Sequence, residues 1–126
     1  MPPISVVLAH EDAALVQSLT GWSNNQFLNL ASVNTAVGVR EVVARLRAQL
    51  VIVDLEVVSF QELGELCREF PSTAFVCTHR LADDVMWSQS LAAGAVDCCL
   101  AGDIPRILEA SESYVAIKQV QTVSAA

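Results

Sequence analysis

Five short apolar runs recur along the chain, each followed by a segment whose apolar residues repeat at helical spacing. This alternation constrains the fold more than any other feature of the sequence. The runs are Ile4–Ala9 (ISVVLA), Phe27–Val33, Leu50–Leu55 (LVIVDL), Thr73–Thr78 (TAFVCT) and Ala95–Leu100 (AVDCCL). Most are near-continuous and rich in β-branched residues, the pattern of strands buried on both faces. Between them, Asp12 stands at a helix N-cap position before Leu15, Leu19 and Trp22, and Thr35 before Val39, Val42, Val43 and Leu46. Phe60, Leu63, Leu66, Cys67 and Phe70 form the next stripe, ended by Pro71. A helix over about 83–93 stops at Gly94, and Asp103 opens a last one carrying Ile104, Ile107, Leu108 and Ser111, as far as about Ile117.

Strands alternating with helices require crossover connections, and crossovers of this length make a parallel sheet covered on both faces. The expected fold is an α/β, doubly wound, five-stranded parallel sheet in the flavodoxin-like order 2-1-3-4-5 with five helices. With 126 residues the chain is read as one domain over 1–118, followed by a patternless tail or linker stub, 119–126. Hydrophobic residues make up 53% and charged residues 17%, which excludes disorder and leaves an apolar surface of the kind that meets a partner. A net charge of -7 repels phosphate backbones and argues against direct nucleic-acid binding. The stretch Ala13–Val39 lacks charge but is interrupted by Gln17, Asn24, Asn25, Gln26, Asn29 and Asn34, so no membrane span is expected. With no signal-peptide pattern at the start, the expected compartment is the cytoplasm. Cys67, Cys77, Cys98 and Cys99 suit it as reduced, buried thiols, with Cys98 and Cys99 alternating across a strand; their spacing is not that of a zinc site.

In a sheet of this order ligands bind at the carboxyl ends of the strands, at the switch point between strands 1 and 3. Those ends read His10-Glu11-Asp12, Asp54-Leu55-Glu56, Thr78-His79 and Leu100-Ala101-Gly102. Glu11 and Asp54 converge across the switch point, and two carboxylates with a backbone carbonyl make an oxygen-only site suited to Mg²⁺. With charge neutralised there, a carboxylate can act as a nucleophile towards a phosphoryl donor, and the Thr78 hydroxyl can bond a phosphoryl oxygen. Asp12 reads as a helix cap. No G-x-G-x-x-G follows the first strand, so nothing points to a flavin or dinucleotide enzyme.

ISVVLAHED, LVIVDLE, TAFVCTHR and LAAGAVDCCL together resemble the receiver domain of bacterial response regulators, the CheY-like family, over residues 4 to about 117. The resemblance implies that Asp54 is the phosphoacceptor and Thr78 the switch hydroxyl. It makes Glu11 and Asp54 metal carboxylates for Mg²⁺, with the Glu56 carbonyl a further ligand and His10 and Asp12 in the second shell. It further implies a sensor histidine kinase or phosphotransfer protein as phosphoryl source, an output domain or partner protein as reader, and a homodimer through the last three elements. No enzymatic activity is implied beyond self-phosphorylation and slow autodephosphorylation. Several residues depart from the pattern. His10 replaces the first acid, Ala101-Gly102 falls where a lysine and proline are expected, Cys98 takes the aromatic switch position, and no Pro-Gly turn follows Asp54. Hence a second reading, a pseudo-receiver that binds proteins without phosphorylation. His10 is expected to be second-shell or solvent-facing, and Arg80 and Arg106 to be exposed. The spacing of Trp87 with Leu91 and Gly94 favours a core position over an interface anchor.

Overall fold

The computed structural model describes residues 5–10, 17, 29–81, 83–111 and 113. The expected first helix, Asp12 to Trp22, lies outside the described residues apart from Gln17, as do Glu11, the 118/119 boundary and the tail. Among the described residues the elements run β1 (Ser5–Ala9), β2 (Asn29–Val33), α1 (Ala36–Leu46), β3 (Leu50–Asp54), α2 (Phe60–Glu69), β4 (Ala74–His79), α3 (Asp84–Ala93) and β5 (Asp97–Leu100). Residues 104–111 are helical and are called α4. The strands form one sheet in the order β2-β1-β3-β4-β5, every neighbouring pair parallel, as the alternation of runs requires. No helix among the described residues is long and apolar enough to cross a membrane.

Strand residues alternate between two apolar layers because successive side chains point to opposite faces. Val7, Ala9, Val51, Val53, Phe75, Cys77 and Cys98 pack with Val39, Val42 and Val43 of α1 and Leu63 and Leu66 of α2. Val6, Leu8, Leu50, Ile52, Ala74, Val76 and Cys99 pack with Ile107 and Ala110 of α4. Cys98 and Cys99 therefore serve opposite layers, as alternation along a strand demands. Burying side chains such as Ile52 and Leu66 stabilises the fold by roughly 1.5–3 kcal/mol each.

The helices begin and end at the residues their chemistry selects. Thr35 accepts the Gly38 N–H, Ser59 and Glu62 form a reciprocal capping box, and Asp83 accepts the Met86 N–H. Gly94 closes α3 at φ +116°, a conformation that costs an L side chain strain, and a Cβ there would stand 2.7 Å from Cys67 Cβ. α2 and α3 meet through that close approach.

Candidate functional site at the carboxyl end of the sheet

The pairing register carries three side chains into one row. Ala9 pairs with Val53, so His10, the next residue of the first strand's path, falls beside Asp54, and Asp54 pairs with Thr78. All three continue the sheet face that carries Val6 and Leu8, Leu50 and Ile52, and Ala74 and Val76. Cys99, paired with Thr78, extends the row on β5. There, burial and the charge of Asp97 push its thiol up to about 12, so it stands as a neutral apolar neighbour.

Asp54 is 4% exposed and Thr78 fully buried. The Asp54 Oδ1 accepts the Glu56 backbone N–H at 2.8 Å, and Oδ2 accepts the Thr78 hydroxyl at 2.8 Å. His10 Nε2 stands 3.1 Å from the same Oδ2. The turn that follows is fixed to the same residue, since Val57 and Val58 donate their N–H groups to the Asp54 carbonyl. Val58 is buried beneath it. Burial alone pushes the Asp54 carboxyl up. Contacts from His10, the Glu56 N–H and the Thr78 hydroxyl outweigh it together, and the group lies below its ordinary value.

Of the residues singled out in the sequence, Asp54, Thr78 and Glu56 come together, whereas Glu11 and Asp12 lie outside the described residues. Glu56 contributes its backbone N–H to Asp54 and its carboxylate to Arg80, whose Nε is 2.8 Å from Oε1. His10 does not face solvent: it is 9% exposed and in direct contact with Asp54. A hollow lined by His10, Ser32, Val33 and Asn34 opens on its β2 side. The signal for the contact was available in the register, one residue beyond β1 on the same face as Leu8, but strand pairing had to be known to use it.

A divalent metal is what the resemblance implies here, and the described donor set does not suit one. Mg²⁺ needs oxygen acceptors in near-octahedral array and is poorly matched by imidazole. Around Asp54 the described groups are the Glu56 N–H, the Thr78 hydroxyl and the His10 ring nitrogen. No group of three His, Cys, Asp or Glu side chains among the described residues could hold a metal ion.

The two arginines expected to be exposed, Arg80 and Arg106, both pair with carboxylates other than Asp54. Arg80 is exposed and paired with Glu56; Arg106 donates to Asp97 Oδ2 at 2.9 Å. Asp97 is buried and also accepts the Trp87 indole N–H at 3.2 Å and the Cys98 backbone N–H at 2.8 Å. This carboxylate joins α3, β5 and α4, a role the sequence did not suggest. The core position favoured for Trp87 is incorrect. The ring is 47% exposed, held by its N–H at the sheet edge, while Ser90 takes the buried position and donates its hydroxyl to the Met86 carbonyl.

Among solved structures with this architecture are signal receiver domains and CheY-like response-regulator receiver domain proteins. The signal receiver domain of a Luxo repressor protein from Vibrio parahaemolyticus superposes with a TM-score of 0.85 at 13% identity, over 99% of each chain. A CheY-like receiver domain protein from Methanospirillum hungatei gives 0.79 at 14% identity, over 95% of this chain and 99% of that one. NtrX from Brucella abortus gives 0.85 at 11% identity over 98% of this chain, which spans only 29% of NtrX. No protein-family model matches the sequence, and no curated protein matches it. The chain has the fold of a response-regulator receiver domain.

Proposed function

We propose that this chain is a receiver-fold protein-interaction module whose partner binding does not depend on phosphorylation of Asp54. The observation that carries this reading is the internally satisfied carboxylate. Asp54 is 4% exposed, with Oδ1 on the Glu56 N–H and Oδ2 on the Thr78 hydroxyl, both at 2.8 Å. Hydrogen bonds to both oxygens stabilise the charge of such a nucleophile and lower its reactivity towards a phosphoryl donor. Ala101 and Gly102 supply no side-chain cation at the end of β5, and Arg106 is bound to Asp97. Contacts of this kind are worth about 1.5–3 kcal/mol, as large as the coupling that normally links such a site to a distant surface.

The surface that meets a partner protein or an output domain, or forms a homodimer, is the apolar edge beside β5. Leu81, Val85, Trp87 and Leu100 are all exposed there. The cytoplasm is the compartment this reading assumes.

One observation favours the second reading, a phosphorylated receiver served by a histidine kinase or phosphotransfer protein. Thr78 and Asp54 are brought together as a phosphoacceptor and its switch hydroxyl require. An amide NMR titration with Mg²⁺ and beryllofluoride, a mimic of the acyl phosphate, separates the two. The expected result is no change spreading from Asp54 to α3. Shifts that reach the Trp87 amide and vanish in Asp54→Asn would overturn the proposal and establish the phosphorylated receiver.

A further inference from the structure

We infer that His10 takes the place of a divalent cation beside Asp54, so that this end of the sheet is built to work without metal. The inference concerns the same site and rests on reading Asp54 as an internally tied carboxylate. The register puts His10 immediately next to Asp54 in the row, and its Nε2 approaches to 3.1 Å with both side chains 6% exposed. An ionised carboxylate oxygen only accepts, so the facing nitrogen is attracted to it only when it carries hydrogen.

The surroundings of Asp54 have one character. The two described groups that hydrogen-bond its carboxylate are donors, a backbone N–H and a hydroxyl, and the His10 ring nitrogen faces Oδ2 at 3.1 Å. This is an environment for an anion. A cation site has the opposite requirement, several oxygen lone pairs converging on one point. To coordinate Mg²⁺ through Oδ2, Asp54 would have to release the His10 contact, the Thr78 bond or both, and the ring itself would remain a poor ligand. Replacing that ring by a carboxylate removes a donor and adds acceptors at the same place in the row. Among the described residues, position 10 is therefore the one whose side chain sets whether the face of Asp54 Oδ2 favours a metal.

The test is an amide NMR titration with MgCl₂ alone, at constant ionic strength, reading Asp54, Glu56 and Thr78. Wild type, His10→Asp and His10→Asp/Asp54→Asn are compared. Wild type should show no saturable shift, and His10→Asp should bind Mg²⁺ at least about tenfold more tightly. The double variant should lose the gain. Should His10→Asp not fold, His10→Asn offers an oxygen at the same position and should change the response in the same direction. Saturable Mg²⁺ binding by wild type within tenfold of the variant would overturn the inference. So would variants that are folded and gain nothing. Because no phosphoryl mimic is present, saturable Mg²⁺ binding by wild type without a beryllofluoride response that reaches Trp87 would overturn this inference alone and leave the proposed function standing.

Discussion

Thr78→Val should destabilise the protein while leaving its shape intact. Thr78 is fully buried, and its hydroxyl donates to Asp54 Oδ2 at 2.8 Å. Valine fills nearly the same space, so no large cavity opens; what disappears is a donor to a buried ionised carboxylate. Hydrogen bonds to charged groups contribute about 1.5–3 kcal/mol. Asp54 keeps the Glu56 N–H and the His10 contact, so the lower half of that range, about 1.5–2 kcal/mol, is expected. That corresponds to roughly a tenfold or larger fall in the folding equilibrium constant. The folded-state pKa of Asp54 lies below its ordinary value, and the Thr78 hydroxyl is one of the causes. A depressed carboxyl stabilises the fold above its unfolded pKa, about 3.9, and loses that contribution as pH falls through the folded value. Removing Thr78 raises the folded value, so the deficit should be full at neutral pH and shrink on acidification. Urea unfolding of both proteins across this range, with the Asp54 carboxyl followed by carbon-detected NMR, measures both quantities. A deficit under about 0.5 kcal/mol at neutral pH, or one that does not change with pH, would refute the reasoning.

Other substitutions probe the frame around the site. Gly94→Ala should cost more than about 1 kcal/mol, since it places a Cβ 2.7 Å from Cys67 Cβ at a positive φ; the thermal midpoint reports it. Ser59→Ala removes one half of the α2 capping box and should cost about 0.5–2 kcal/mol in urea unfolding. Trp87→Phe keeps an aromatic ring but leaves Asp97 without the indole donor, so a loss of about 0.5–1.5 kcal/mol is expected in urea unfolding. If self-association falls while stability holds, Trp87 acts at an interface through its N–H.

The strands were legible because their apolar runs are short, β-branched and bounded by residues that end them. Helix limits were legible at Thr35, Asp83 and Gly94 for the same kind of reason, since one backbone group or one φ value needs that residue type. Asp54 and Thr78 were found as strand ends, which the fold class alone brings to the switch point. The His10 contact was not, because it depends on which residue of β1 lies opposite which residue of β3, and a slip of one would turn the ring to the other face. α3 misled for another reason. Its apolar Val85 and Trp87 face outward and its Ser90 inward, so periodicity could not tell which face is buried. A hydroxyl that bonds its own helix's carbonyl and an indole that bonds Asp97 reverse the usual rule.

Asp54 and Asp97 show two uses of a buried carboxylate on one sheet. Asp97 joins three elements through Trp87, Arg106 and the Cys98 N–H, and an ion pair with a guanidinium fixes it there. Asp54 gathers the Glu56 N–H, the Thr78 hydroxyl and the His10 ring from the ends of three strands' paths. A ligand shifts a conformational equilibrium only by binding one state better than another. For a carboxylate exposed to water, an added phosphoryl group or metal creates contacts that did not exist before. For Asp54, a ligand that takes Oδ2 must compete with the Thr78 hydroxyl and the His10 ring already facing it, and what it gains there is reduced by what they lose. On the proposed reading, partner affinity at the β5 edge should therefore be the same for wild type and Asp54→Asn once the lower stability of the variant is taken into account.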